Sequence, residues 1–194
     1  MDNTVSQNTT PDLSGLSVAI LAAGGVDQTS LSHVQRALLK AGATFKVVST
    51  DSGLIAAWDG TGWGHSFTVG APISTTLGSD YDGLVIPGGS RSVAKLAASP
   101  HASRILRAVL DGRRPIAAFA EGVALLTGVS LRGRRVAVGE AAMDAAIAAG
   151  ARVAQESLVV DGSLVTASES AALTGMIEAF MQALAETRSD SEAA

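Results

Sequence analysis

Five consecutive residues in the second half of the chain, Ala118-Phe119-Ala120-Glu121-Gly122, have the make-up of a strand-to-helix elbow. Small residues flank the central position, as they must where a tight turn brings two backbones together and lifts one side chain above a sheet. A turn of this kind displays a nucleophile in acyl-transfer chemistry, yet the displayed residue here is Ala120, which has nothing to attack with. On these five residues alone a plain strand–helix junction that merely needs small residues is the preferred reading. Glu121 is the ionisable group beside it, and two readings of it stand. One is a carboxylate stabilised by ~0.3–1 kcal/mol in the first turn of its own helix. The other is a general base, or a carboxylate filling a vacant pocket. In a parallel sheet ligands bind outside the carboxyl ends of the strands, where the loops Ala23–Asp27 and Pro87–Ser90 join this elbow and bring Asp27 and Ser90 near such a pocket. An enzyme would need two of these groups within hydrogen-bond reach of one ligand position. For Asp27 the plainer reading is a helix N-cap.

Other chemistries find less support. There is no cysteine, which removes thiol nucleophiles, disulfides and Cys-ligated metals together. His33, His65 and His101 lack a paired spacing, so no metal is expected. Asp51 ends a strand where dinucleotide folds keep a ribose-binding acid. However, Ala22-Ala23-Gly24-Gly25 does not complete a G-x-G-x-x-G loop, so Asp51 reads as a turn residue and no cofactor is expected. Trp58 and Trp63 bracket Asp59-Gly60-Thr61-Gly62 and read as hairpin-root core or, preferably, as an exposed partner surface.

The elements that must position these groups alternate in type. Ser17–Ala23, Thr44–Ser49, Tyr81–Ile86 and Pro115–Phe119 are buried-strand runs, with helical spacing at Leu31, Val34, Leu38 and Leu39. Helical patterns also cover about Val93–Asp111, broken at Ser99-Pro100, then Glu121–Thr127, Glu140–Ala149 and Ser170–Ala185. A hairpin is expected over residues 53–70, a short strand at Arg135–Val138, and further strands at Ala151–Gln155, Leu158–Asp161 and Leu164–Ala167. This order predicts an α/β fold: a three-layer α/β/α sandwich, flavodoxin-like, around a mainly parallel sheet. Residues 16–186 form the single domain. Residues 1–15 and 187–194, polar and without periodicity, are expected to be disordered tails.

Composition narrows the setting. Of 194 residues, 47% are hydrophobic and 16% charged, enough for one sizeable core. A net charge of −4 speaks against nucleic acid or an anionic membrane as partner. Arg132, Arg134 and Arg135 form a short basic cluster that reads as a solvated loop. No apolar run approaches the ~18 residues of a membrane span, and the first residues lack the pattern of a secretion signal. A cytoplasmic protein is expected.

Four segments in order, VAILAAGGVD, YDGLVIPGGS, PIAAFAEGVALL and LVVDGSLVTAS, resemble the ThiJ/PfpI superfamily within the class I glutamine amidotransferase-like fold. Within it they look similar to the C-terminal domain of large-subunit catalases, which lacks a working nucleophile. The resemblance places the family's catalytic Cys at Ala120, its Glu on the first helix at Ser30, and its following His at Glu121. All three polar roles therefore depart from the enzyme pattern. What the resemblance leaves is the backbone half, Gly88, Gly89 and the Glu121 amide as an N–H cradle, with Glu121, Asp27, Ser30 and Ser90 as the polar groups lining the pocket. The coincident departure at Ser30 speaks for a natural Ala120 rather than an engineered replacement. The resemblance implies a homodimer acting as a non-catalytic binding, chaperone-like or stress-related regulatory module, with a small-molecule ligand or a protein as partner. The alternative is a small-molecule hydrolase, lyase or glyoxalase-type enzyme using Glu121 or another pocket carboxylate or Ser. If the family's elbow persists, Ala120 should lie outside the ordinary helical and strand basins.

Overall fold

The apolar runs become strands wherever both faces can be covered. The computed structural model describes residues 10–129 and 131–192. Its central sheet is built from β1 (Ser17–Leu21), β2 (Thr44–Ser49), β5 (Ala71–Pro72), β6 (Gly83–Ile86), β7 (Ile116–Phe119), β10 (Leu158–Asp161) and β11 (Leu164–Ala167). The strand order is β10-β11-β7-β6-β1-β2-β5, parallel throughout except for β10 against β11. β5 contains Pro72, which lacks a ladder donor and suits the sheet edge where it lies.

Successive residues of β1 serve opposite layers. Val18 and Ile20 join one core with Leu31, Val34 and Leu38 of α1 (Gln28–Lys40) and Phe180 and Leu184 of α5 (Leu173–Glu192). Ala19 and Leu21 join the other with Val93 and Leu96 of α2 (Ser90–Ala97) and Ile105, Leu106 and Val109 of α3 (Pro100–Asp111). This period-2 split makes a sheet with helices on both faces, the three-layer α/β sandwich of the sequence reading. α4 (Glu140–Ala148) lies on the second face. Outside the main sheet, β3 (Leu54–Trp58) and β4 (Trp63–Thr68) form an antiparallel hairpin, and β8 (Arg135–Val136) pairs with β9 (Arg152–Val153).

Several boundaries differ from expectation. Ala120–Gly128 is a 3-10 segment rather than an α-helix; its first flanking glycine, Gly122, lies too close to β6 for an ordinary side chain, and the tighter winding fits that contact. Part of the segments expected as tails is ordered. Leu13 is fully buried, and α5 continues to Glu192, with Arg188 donating to the Ser14 carbonyl at 3.4 Å. Residues 1–9 and 193–194 of the expected tails lie outside the described residues. The basic cluster serves the fold: Arg134 and the Arg135 amide both bind Asp161, and Arg135 pairs with Glu156 at 3.1 Å. Among the described residues no helix is long and apolar enough to cross a membrane.

Candidate functional site

The chain leaves β1 toward β2 on one side and returns to β6 on the other, so a crevice opens at the carboxyl ends of β1, β6 and β7. Three turns meet there. The first, after β1, carries Gly25 and Asp27; the second, after β6, carries Gly88 and Gly89; the third is the elbow after β7.

The elbow is sharp. Ala120 has φ +48°, a left-handed conformation that costs an L-residue roughly 1–2 kcal/mol. The flanking strand holds it there, because β7 is laddered on both sides, Ala118 opposite Ile86 and Phe119 opposite Ala167. On the other flank a Cβ at Gly122 would lie 2.6 Å from the Ile86 carbonyl oxygen, so only glycine lets the outgoing chain pass β6. The requirement for small flanking residues is thus met by a particular backbone contact.

Gly89 is equally constrained. Its φ is +107°, and a Cβ there would meet the Asp27 nitrogen and the Gly25 oxygen at 2.6 Å each. The two loops are also tied directly, since the Asp27 amide donates to the Gly88 carbonyl at 3.0 Å. Asp27 is the N-cap of α1, its Oδ1 accepting from the Ser30 amide at 2.6 Å. Ser30 itself is fully buried, with its hydroxyl donating to the Asp27 carbonyl at 3.2 Å. The expected partner position is therefore turned into the α1 cap and does not line the cleft.

Glu121 lies elsewhere than its own helix start suggests. Its Oε2 accepts from the Gly89 amide at 3.1 Å, and its Oε1 receives the Ser90 hydroxyl at 3.4 Å. Gly89 is the N-cap of α2, has no side chain to cap with, and α2 carries no acid in its first turn. The Glu121 carboxylate supplies that missing negative group from another part of the chain. The expected N–H cradle of Gly88, Gly89 and the Glu121 amide is consequently not open: its Gly89 donor is already engaged by the neighbouring carboxylate.

A cleft of about 710 Å³ surrounds these groups, with Asp27, Glu121, Ala120, Ser90, Trp58 and Arg91 among its walls. Sequence reasoning missed Arg91 and the far wall, Ser168 to Ser170. The Arg91 guanidinium stands 4.0 Å from the centre of the Trp58 ring and 5.3 Å from that of Trp63. The two indoles meet edge to face at 5.6 Å and 89°. Trp58 therefore belongs to the cleft mouth, while Trp63 is 62% exposed. Glu169 could have been found by noticing that β11 is parallel to β7, so that the loop after Ala167 opens on the same side. Asp27, Glu121 and Glu169 give the cleft three carboxylates against the one guanidinium, and the ion pairs among the described residues lie elsewhere.

The remaining candidates are structural. Asp51 accepts from the Gly24 amide at 2.7 Å and pairs with Lys95 at 3.3 Å, bracing the first loop from behind. At the hairpin tip, Asp59 accepts the Thr61 and Gly62 amides and the Thr61 hydroxyl, each at 2.8 Å. Those donors hold its carboxyl below the usual carboxylate range, the Thr61 amide foremost. Among the described residues no group of three or more His, Cys, Asp or Glu is arranged to hold a metal.

Comparison with known proteins places this geometry. Residues 16–186 match the family described as DJ-1/PfpI. Protein DJ-1 homolog D of Arabidopsis thaliana is 32% identical over 126 residues, covering 62% of this chain and 32% of its own length. A two-domain protein from Anabaena variabilis, with DJ-1/ThiJ/PfpI-like and ferritin-like domains, superposes with TM-score 0.80 at 26% identity. That match covers 86% of this chain and 47% of the other. A ThiJ/PfpI domain protein from Brachyspira murdochii has the same fold, with TM-score 0.79 at 19% identity over 87% of this chain and 95% of its own. The chain thus spans only a third to a half of the first two relatives.

Proposed function

The chain belongs to the DJ-1/PfpI family, and from that premise we propose that it works without the family's nucleophilic chemistry, as a binding module of stress-related or chaperone-like type. One observation carries the reading. Ala120 keeps the +48° elbow, while the adjacent Glu121 carboxylate occupies the Gly89 amide that an oxyanion would need. Acyl transfer requires both a nucleophile and free donors aimed at developing negative charge. This elbow offers no nucleophile, and its nearest donor faces a fixed negative charge.

The contact between Ser90 and Glu121 supports a second reading, in which a hydroxyl and a carboxylate replace the missing Cys. Turnover assays separate the two. The native chain and Glu121→Gln should both give only background rates on glyoxal-type, peptide and ester substrates. Turnover by the native chain that Glu121→Gln abolishes would establish the second reading instead. Self-association belongs to the proposal as well, because Leu54 and Trp63, each 62% exposed on the hairpin, offer apolar surface to a second copy. Sedimentation should then show a species near twice 19.5 kDa; a stable monomer would remove that part.

A further inference from the structure

The position of Glu121 implies a selectivity that the loss of a nucleophile does not. Its carboxylate rests on the Gly89 amide and the Ser90 hydroxyl, at the start of a helix that has no acid or side-chain cap of its own. The approach is close: a Cβ at Gly88 would stand 3.0 Å from Oε2. Inside the cleft, therefore, the group that meets these donors is a carboxylate belonging to the protein. We propose that Glu121 is the cleft's own anionic occupant, an internal plug that excludes small carboxylates from the seat formed by Gly89 and Ser90.

This inference rests on the non-catalytic reading and adds a selection rule to it. A ligand carboxylate would have to displace Glu121 from two donors. It would do so facing Asp27 and Glu169, while Arg91, the guanidinium at the mouth, is drawn onto the indole faces. A neutral or cationic ligand meets no such barrier. Removing the Glu121 side chain should free the Gly89 amide and the Ser90 hydroxyl within the cleft, and a free carboxylate can then take its place.

Formate is the probe. Thermal unfolding and tryptophan emission are followed in formate titrations at constant ionic strength, with chloride as the balancing anion, for the native chain, Glu121→Ala and Glu121→Ser. The only two tryptophans are Trp58 and Trp63, so emission reports the cleft mouth directly. Both variants should start less stable than the native chain. Formate should raise their melting temperatures saturably, with an apparent affinity about tenfold or more above any native response. A variant that folds only when formate is present supports the plug equally. Formate responses indistinguishable from native, or recovery by chloride as effective as by formate, would overturn it. Turnover in the native chain would sink the non-catalytic reading without touching this result, so the two failures are separable.

Discussion

Two strand-to-helix junctions stand side by side over the same crevice and solve one problem in opposite ways. After β1, α1 is capped by its own neighbour: Asp27 precedes the helix and accepts the Ser30 amide. After β6, α2 begins at a glycine that cannot cap, and the acid arrives from Glu121 on the elbow, whose Oε2 takes the Gly89 amide at 3.1 Å. The first arrangement is closed and local, and it absorbs Ser30 as well. The second is assembled from two loops, at the point where the family resemblance places catalysis. A helix start left without a local cap can be completed from elsewhere in the chain, and here the group that does so is Glu121, the residue following Ala120.

The largest test of that comparison is steric. Gly89→Ala would press a methyl group onto the backbone of the first junction at a φ of +107°, so both junctions should fail together. A loss of about 3 kcal/mol, or ~10 °C in melting temperature, is expected. A mild effect would mean that the two loops are not locked.

Next come the caps. Asp27→Ala and Glu121→Ala should each cost about 1 kcal/mol by chemical denaturation. Hydrogen exchange should separate them, with protection lost in the first turn of α1 for one and of α2 for the other. If Glu121→Ala left α2 protected, the long-range cap would be refuted.

How far the two junctions could be foreseen follows from the range of their contacts. Asp27 was legible because a cap lies within three residues of what it caps, and the sheet was legible because buried strands are written as apolar runs. The small flanks of the elbow were legible too, although the reason for Gly122, the Ile86 carbonyl, was not. For Glu121 both its own helix start and a carboxylate filling the pocket fit the sequence, which cannot choose between them because it shows nothing of the α2 amides more than thirty residues away. Arg91 follows Gly88-Gly89-Ser90 in the chain, yet its role depends on a hairpin that folds across from another segment. Likewise the far wall of the cleft became visible only once β11 was seen to run parallel beside β7.

Smaller effects sharpen the picture of the mouth. Arg91→Ala should cost about 0.5–1 kcal/mol and shift tryptophan emission, since the guanidinium lies against both indoles. Unchanged emission would argue that the stack does not persist in solution. The smallest expected effect is a pH response of the hairpin tip. The Asp59 carboxyl is held below its ordinary value by the Thr61 and Gly62 amides, so its contribution is complete above the unfolded-state pKa. It should fade as pH falls through the depressed folded value, with Trp63 emission changing first. Asp59→Asn should remove that acid-side change; a transition of the same size in the Asn variant would assign it to another group.

The most direct measurement of the central claim is the thiol pKa of Ala120→Cys, which would be the only cysteine in the chain. On the proposed non-catalytic reading this thiol should titrate near or above the ordinary value of ~8.5, because the Glu121 carboxylate is adjacent and Ser30 is committed to the α1 cap. A pKa below about 7 would show a field still able to activate a nucleophile, and would contradict the account of this site as catalytically silent.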